Sequence, residues 1–253
     1  MLYSIYEVID LIIKKFTKMK DGMYKLKLDN DIEVKLHEDL ILKYDLLINK
    51  NISEDLLLDL EKENIKYESY NLALKYLKNR QRCNKEIYTY LKSKGISNLN
   101  IDFVIDILTK QGYLNEEVYI TSYINDRIYL SSDGPLKIKK YLTDMNLDND
   151  VINEKLLIFT EELEKERISK LIKKLEKSNK KGEYNFKLKV KTYLTNLGYH
   201  TEYINYLLNN YNIDDTDLKQ KEYDKLYKKY SKKYNGYELE YKIKQGLYQK
   251  GFR

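Results

Sequence analysis

Between Leu11 and Leu42 the pattern of apolar and polar residues is typical of β-strands. The segments YKLKL (24–28) and IEVKL (32–36) alternate and are separated by the turn-forming triplet DND (29–31), a pattern typical of a β-hairpin. A further run, IIKKFTKM (12–19), precedes them. The pattern predicts a three-stranded antiparallel meander. One face of such a sheet is apolar and needs cover, which the helices expected at 37–46 and 53–64 can supply, the second with Ser53 as its N-cap.

After residue 64 this alternation stops and helical periodicity takes over. One amphipathic phrase occurs four times, as IYTYLKSKG, IKKYLTDMN, VKTYLTNLG and IKQGLYQKG, in steps of 51, 52 and 53 residues between its leucines, Leu91, Leu142, Leu194 and Leu247. Each leucine follows a β-branched residue by one helical turn, so both face the same way. Each phrase ends in Gly or Asn, which tolerate the left-handed conformation that closes a helix. We expect a buried core at Ile87, Leu91, Ile138, Leu142, Val190 and Leu194.

The flanks of the phrase repeat as well, so that each repeat is expected to have three helices. The additional helices are predicted at 69–79, 100–111, 116–130, 150–162, 166–177, 201–211 and 218–234. The fold class is therefore mainly α: tandem three-helix repeats forming an elongated curved rod, with a small N-terminal β-meander part. The predicted divisions are 1–66 (meander plus helices), 67–114, 115–162 and 163–212 (repeats 1 to 3) and 213–253 (a partial, two-helix repeat 4).

Charge divides the chain in a similar way. Residues 1–66 hold 11 lysines against 14 acidic residues, a net charge of −3. Because the whole chain carries +6, the remaining 187 residues carry +9. The last 35 residues hold 11 basic against 4 acidic residues, which favours an anionic partner. The 27 tyrosines could stack on nucleic-acid bases, although an AT-rich genome would also enrich tyrosine and lysine.

The stretch from Tyr70 to Asp148 resembles the RecX family of bacterial regulators. The resemblance lies in the run NRQRCNKEIYTYLKSKG (79–95), the turn GYLNEEVYITSYINDR (112–127) and the helix start GPLKIKKYL (134–142). It implies tandem three-helix units, an N-terminal β-rich extension and a non-enzymatic modulator without cofactors. The implied partners are the RecA recombinase and its filament on DNA, with inhibited recombination and SOS response. Cys83 stands where the family often has a serine N-cap, and because cysteine caps poorly, Asn84 is the alternative cap.

The candidate residues for contact with a partner or nucleic acid are basic side chains that occur along the predicted helices. They are Arg80, Arg82 and Lys85 in repeat 1, Arg127, Lys137, Lys139 and Lys140 in repeat 2, Lys187, Lys189 and Lys191 in repeat 3, and Lys228, Lys229, Lys232 and Lys233 in repeat 4. Arg82 and Arg127 rank highest because they lie in the family-like motifs. Arg82 could equally pair with Glu86 one turn later as structural support, and Arg127 with a nearby acid.

No catalytic or metal-binding constellation is evident in the sequence. His37 and His200 are predicted to be surface or cap residues, and there is no phosphate-binding loop. Adjacent acids such as Glu161 and Glu162 point in different directions on a helix, which disfavours a magnesium-dependent nuclease. The lack of a basic leader and of an ~18-residue apolar run predicts a cytoplasmic chain without membrane contact. A monomer is expected. The alternative function is an independent DNA-binding module that needs no recombinase.

Overall fold

The fold was analysed in a computed structural model, which describes residues 10–253. The chain divides after Tyr119 into two compact units. Residues 10–119 are called here the N-terminal half and residues 120–253 the C-terminal half, and each is described by itself. Residues 1–9 lie outside the described residues. They include the start of the predicted N-terminal part and the positions where the sequence predicts no basic leader.

A four-stranded antiparallel sheet opens the N-terminal half. Its strands are β1 (Asp10–Lys18), β2 (Met23–Leu28), β3 (Glu33–His37) and β4 (Asn51–Ser53), in the spatial order β3-β2-β1-β4. The predicted meander β1-β2-β3 is confirmed. Strand β4, which pairs with the start of β1, was not predicted, because three residues are too few to show alternation.

Two helices, one between β3 and β4 and one after β4, cover the apolar face of the sheet. Helix α1 is Glu38–Lys43 and helix α2 is Glu54–Leu77, with Ser53 as the predicted N-cap of α2. The prediction of separate helices at 53–64 and 69–79 is wrong, because no glycine or proline interrupts residues 54–77. Helix α2 consequently runs through the predicted division at residue 66. The sheet and these helices share one core of buried residues: Leu11, Ile13, Leu26, Leu28, Val34, Leu36, Leu40, Ile41, Leu46, Ile52 and Leu60.

A buried asparagine fastens α2 to the sheet. The Asn64 side chain is 4% exposed; it accepts a hydrogen bond from the His37 N–H at 2.9 Å and donates one to the Lys35 carbonyl at 2.9 Å. Strand β3 is an edge strand whose backbone groups would otherwise lack partners on that side. The side chain therefore fixes the register of α2 against β3.

The later part of α2 packs with two more helices as the first three-helix repeat. These helices are α3 (Asn84–Ser93) and α4 (Asn98–Lys110). Their shared core contains Ala73, Ile87, Leu91, Ile101, Val104, Leu108 and Leu114. The remaining helices are α5 (Glu116–Leu130), α6 (Pro135–Asp144), α7 (Asn149–Leu156), α8 (Glu161–Glu176), α9 (Glu183–Asn196), α10 (Thr201–Asn209), α11 (Thr216–Tyr230) and α12 (Gly236–Gln249).

The structure corrects the helix boundaries between repeats 2 and 3. The predicted helix 150–162 ends at Leu156, and α8 begins at Glu161, five residues before the predicted start at 166. Thr160 accepts a hydrogen bond from the Leu163 N–H and caps α8. Thr160 ends the apolar run LLIFT (156–160), so the sequence pattern predicts helix interior where the structure has an N-cap.

The repeated phrase occupies the equivalent helices α3, α6, α9 and α12, and its core positions are buried as predicted. The four leucines are at most 7% exposed, and the β-branched residues at most 1%. The four closing residues all have positive φ, as expected for helix ends: Gly95 (81°), Asn146 (59°), Gly198 (83°) and Gly251 (87°).

Two backbone joints connect successive copies of the phrase within the C-terminal half. Gly134, the N-cap of α6, donates to the Leu197 carbonyl at 2.7 Å, and Leu136 N–H donates to the Gly198 carbonyl at 3.0 Å. Gly182, the N-cap of α9, makes the same pair of contacts with the segment that follows α12. A Cβ atom on Gly134 would lie 2.6 Å from the Gly198 carbonyl group. Only glycine therefore permits this approach.

Candidate partner and nucleic-acid interface

The structure separates the candidate basic residues into paired and unpaired side chains. Paired with acids are Arg80, Arg82, Arg127, Lys137 and Lys187. Lys85 is exposed and has an interaction of its own. Within residues 10–253, the exposed candidates without an ion pair are Lys139, Lys140, Lys189, Lys191, Lys228, Lys229, Lys232 and Lys233. The second group keeps its charges available to a partner.

Glu86 organises the start of α3 and binds both family-motif arginines of repeat 1. Its carboxylate lies 3.3 Å from Arg82 Nη1, pairs with Arg80, and accepts from the Cys83 N–H at 3.2 Å. Burial alone would raise the pKa of Glu86, but the hydrogen bonds from Arg80 and the Cys83 backbone hold it below its ordinary value. The N-cap is Cys83 and not Asn84. Burial raises the pKa of the Cys83 thiol, so its reactive thiolate is disfavoured.

Arg82 is a structural residue in this cluster. Its side chain is 11% exposed, and its guanidinium lies 4.0 Å from the centre of the Tyr76 ring, which stacks in turn on Tyr90 at 4.1 Å. The cation–π contact and the ion pair with Glu86 both hold the Arg82 guanidinium against the protein and away from solvent. The structure contains the ion pair with Glu86 that the sequence offers as the alternative role of Arg82. A contact between Arg82 and a partner stays a prediction.

Asp133 holds a similar cluster in repeat 2. Arg127 Nη1 lies 3.7 Å and Lys137 Nζ 2.6 Å from its carboxylate. Arg127 also lies over the Tyr123 ring at 4.8 Å, and Tyr123 stacks on Tyr141 at 4.4 Å. The Arg127 side chain is 40% exposed, so this cluster stays accessible at the surface.

Arg167 was missed by the sequence analysis although it holds the loop that carries Asp133. Its guanidinium donates to the carbonyls of Ile128 at 2.5 Å and Ser131 at 2.8 Å, and to the Tyr199 hydroxyl at 3.3 Å. A planar fork of donors suits several carbonyls at once, which lysine cannot match. One signal was present. Only five of the 46 basic residues are arginine, so each arginine in this lysine-rich chain is informative.

Lysines recur at fixed places in the C-terminal half. They lie one residue before and one after the buried β-branched residue, as Lys137 and Lys139, Lys189 and Lys191, and Lys242 and Lys244. Lys242 is half-buried and the other five are exposed. Neighbouring residues on an α-helix are about 100° apart, so the two lysines lie on opposite flanks of the inward position. Lys242 and Lys244 were not among the candidates. The recurrence follows the repeat and is absent from repeat 1, where Glu86 and Tyr88 occupy these places.

Both histidines stand at the N-cap positions of helices, as predicted. His37 caps α1 through Nδ1, which accepts from the Asp39 N–H at 3.3 Å. His200 stands at the N-cap position of α10 without a capping hydrogen bond from its side chain, and its N–H and Nδ1 contact the buried Glu164 carboxylate at 2.7 and 2.8 Å. In the described part of the chain no group of three or more His, Cys, Asp or Glu side chains could hold a metal ion. Among its helices none combines the length and apolarity needed to cross a membrane.

Comparisons with known proteins find the same family throughout. The family profile described as RecX, first three-helix domain, matches residues 70–108. Regulatory protein RecX of Streptococcus agalactiae serotype V is 32% identical over 253 residues, covering 94% of this chain and 95% of the relative. Regulatory protein RecX of Lactococcus lactis subsp. cremoris is 31% identical, covering 95% and 92%.

Solved structures share the fold. A crystal structure of regulatory protein RecX has a TM-score of 0.65 at 22% identity, covering 79% of this chain and 100% of that one. A crystal structure of RecX from Lactobacillus salivarius has a TM-score of 0.52 at 26% identity, covering 58% and 97%. The likeness shows that this chain shares its fold with these proteins over the parts that are covered.

Proposed function

Because the chain belongs to the RecX family of regulatory proteins, we propose that it binds the RecA recombinase filament and inhibits recombination, strand exchange and the SOS response. It acts as a non-catalytic cytoplasmic protein without a cofactor. The proposal rests on family membership over nearly the whole chain and on the surface that the C-terminal half presents.

The observation that carries the proposal is the recurrence of unpaired, exposed lysines on consecutive copies of one helix. Lys139 and Lys140 lie on α6, and Lys189 and Lys191 lie on α9. A nucleoprotein filament is a polymer that presents acidic groups and phosphates repeatedly along its length. A repeat protein with exposed cations on successive repeats can make several weak contacts along it, and their effects multiply.

The proposed mechanism is occupancy. The lysines contact acidic protein groups and DNA phosphates of neighbouring filament subunits, so the bound chain hinders duplex entry or filament growth. Long-range attraction of this kind increases the association rate and weakens as salt is added. Paired residues such as Arg82 contribute to the fold and not to the contact.

The decisive experiment measures ATP hydrolysis by RecA on single-stranded DNA with substoichiometric amounts of the chain. The wild type is expected to reduce hydrolysis, and the variant Lys139→Ala/Lys191→Ala to do so much less, with a smaller dependence on salt. The matched control is Lys110→Ala/Lys170→Ala, which removes the same charge from exposed lysines that are paired with acids one turn away. Unchanged hydrolysis with the wild type would contradict the proposal.

The alternative of an independent DNA-binding module makes a different prediction in the same assay. It requires that single-stranded DNA alone be bound as tightly as the RecA filament while hydrolysis is unaffected. A surface on helix α12 favours some DNA contact without RecA.

A further inference from the structure

Helix α12 carries a stripe of exposed aromatic rings opposite its buried side. Its three tyrosines, Tyr237, Tyr241 and Tyr248, are 86%, 55% and 63% exposed. With Lys244 they follow the spacing i, i+4, i+7, i+11, which places all four side chains within an arc of about 60°. This set of four residues is called here the tyrosine stripe. An AT-rich genome accounts for the number of tyrosines but not for their alignment on one face.

The way α12 packs explains why its rings point outward. Ile243 and Leu247 are buried against α11, together with Leu226. In the other copies of the phrase a tyrosine precedes the leucine, but α12 has Gly246, and a Cβ atom there would lie 2.9 Å from Leu226. Close approach of α11 therefore excludes a tyrosine from that position. The rings of α12 occupy the opposite face, where no ring contact to Tyr237 or Tyr241 is found among residues 10–253.

The charge around the stripe favours a polyanion. Residues 219–253 carry a net charge of +7, from 11 basic and 4 acidic residues. Lys244 is exposed between two of the rings, and the Arg253 guanidinium lies 5.4 Å from the centre of the Tyr248 ring. An acidic protein would complement the charge but would leave the rings exposed. Aromatic rings amid cations match an unpaired nucleic-acid strand, whose bases stack on rings while phosphates meet the cations.

We propose that the tyrosine stripe of α12 binds single-stranded DNA by stacking bases on Tyr237, Tyr241 and Tyr248, without any recombinase. Tyr237 and Tyr241 are one helical turn apart, about 6 Å along the helix axis, so neighbouring bases of one strand can reach both rings. The whole stripe spans about 16 Å along the helix. Duplex DNA is excluded from this mode because its base faces are already stacked. The choice of DNA over RNA rests on the proposed function.

The absence of tryptophan from the sequence allows a direct test. The variant Tyr241→Trp places a single indole in the stripe, and its fluorescence is expected to be quenched to saturation by an oligo(dT) strand when no RecA is present. The matched control is Tyr129→Trp, which replaces a ring that is 77% exposed on α5. Its fluorescence is expected to stay unchanged. Equal quenching in both variants, or none in Tyr241→Trp, would overturn the proposal.

Affinity measurements separate stacking from simple charge attraction. Tyr241→Ala is expected to weaken oligo(dT) binding about 10-fold, since one base–aromatic stack contributes that much, whereas Tyr241→Phe retains the ring and the affinity. Circular dichroism of each variant verifies folding. Equal binding of duplex DNA, or no loss in Tyr241→Ala, would reduce the surface to an electrostatic patch and refute stacking. Tighter binding of oligo(rU) would refute the choice of DNA. Because RecA is absent, none of these outcomes depends on the filament proposal.

Discussion

The two halves of the chain anchor the same amphipathic helix in different ways. In the N-terminal half, α3 begins at Cys83 and is held by the carboxylate of Glu86, which binds the Cys83 N–H and two arginines. In the C-terminal half, α6 begins at Gly134, and its backbone docks on the carbonyl groups that close α9. One start is held by charged side chains and the other by direct backbone contact.

This difference shows that a repeated core pattern does not imply a repeated joint. The buried β-branched residue and leucine are common to all copies, but what positions the helix start depends on the residue at the N-cap. The stability of a side-chain anchor depends on pH, because its carboxylate can be protonated. The backbone joint contains no titratable group, and it depends on the absence of a single Cβ atom.

The largest effect is expected from Gly134→Ala. The φ of Gly134 is −90°, which alanine adopts without strain, so the full cost is the clash with Gly198. The two segments must move apart and lose two backbone hydrogen bonds, which we expect to lower the free energy of unfolding by about 3–5 kcal/mol. Urea denaturation of purified protein measures it.

Gly95→Ala is the matched control in the N-terminal half. Gly95 has a φ of 81°, but no atom lies within 4 Å of the place its Cβ would take. Its cost is therefore conformational alone, about 1 kcal/mol. If both variants lost the same stability, the backbone joint would have no special role.

The next largest effect is expected from Glu86→Gln. Removing the charge leaves Arg82 buried beside a neutral group, which we expect to lower the free energy of unfolding by about 2 kcal/mol. The control Asp106→Asn removes the acid of an exposed pair with Lys110 and should cost at most about 0.5 kcal/mol. If Glu86→Gln and Asp106→Asn lowered the free energy of unfolding equally, burial of the Glu86 cluster would add nothing to stability.

The Glu86 contribution also has a defined pH dependence. The pKa of Glu86 in the folded protein is lower than its ordinary value of 4.5. Its stabilising contribution is therefore complete above pH 4.5 and is lost as pH falls through the lower, folded-state pKa. The difference in unfolding free energy between wild type and Glu86→Gln should shrink as the pH falls below 4.5. A difference that stays constant with pH would contradict the role given to this carboxylate.

Local patterns were sufficient to predict the meander, the buried phrase and the helix-closing residues, since each depends on periodicity or on one residue type. Contacts between distant residues were not predictable. The joint of Gly134 with Gly198 unites two helix ends 64 residues apart, and Arg167 reaches Ile128 across 39 residues. At the candidate site, the positions of the lysines in the sequence do not show which of them form ion pairs with acidic side chains. Lys137 and Lys139 look alike in sequence, but only Lys137 has Asp133 one turn before it.

A smaller effect is expected from Tyr211→Phe in the C-terminal half. The Tyr211 hydroxyl donates to the Glu176 carboxylate at 2.6 Å, and burial together with that carboxylate raises the pKa of Tyr211 to about 12. The lost bond should cost about 1 kcal/mol below pH 10 and progressively less as the pH rises toward 12, because the ionised phenol cannot donate. The N-terminal counterpart is Tyr70→Phe, whose hydroxyl donates to neutral Gln111, and it should cost less. Equal costs would show that the charge of Glu176 adds nothing.

The smallest effect is expected from Arg127→Lys, in one of the two arginine–tyrosine–tyrosine stacks in which the halves are most alike. Arg82 and Arg127 each lie over the first ring of a stacked pair, but their side chains are 11% and 40% exposed. Because water weakens a cation–π contact, Arg127→Lys should lower the free energy of unfolding by only about 0.5 kcal/mol, and Arg82→Lys by about 1–2 kcal/mol. Urea denaturation of the two variants under identical conditions compares a shielded stack with a more exposed one of the same composition. A larger loss in Arg127→Lys would mean that its contact with Asp133, and not the stack, holds that loop in place.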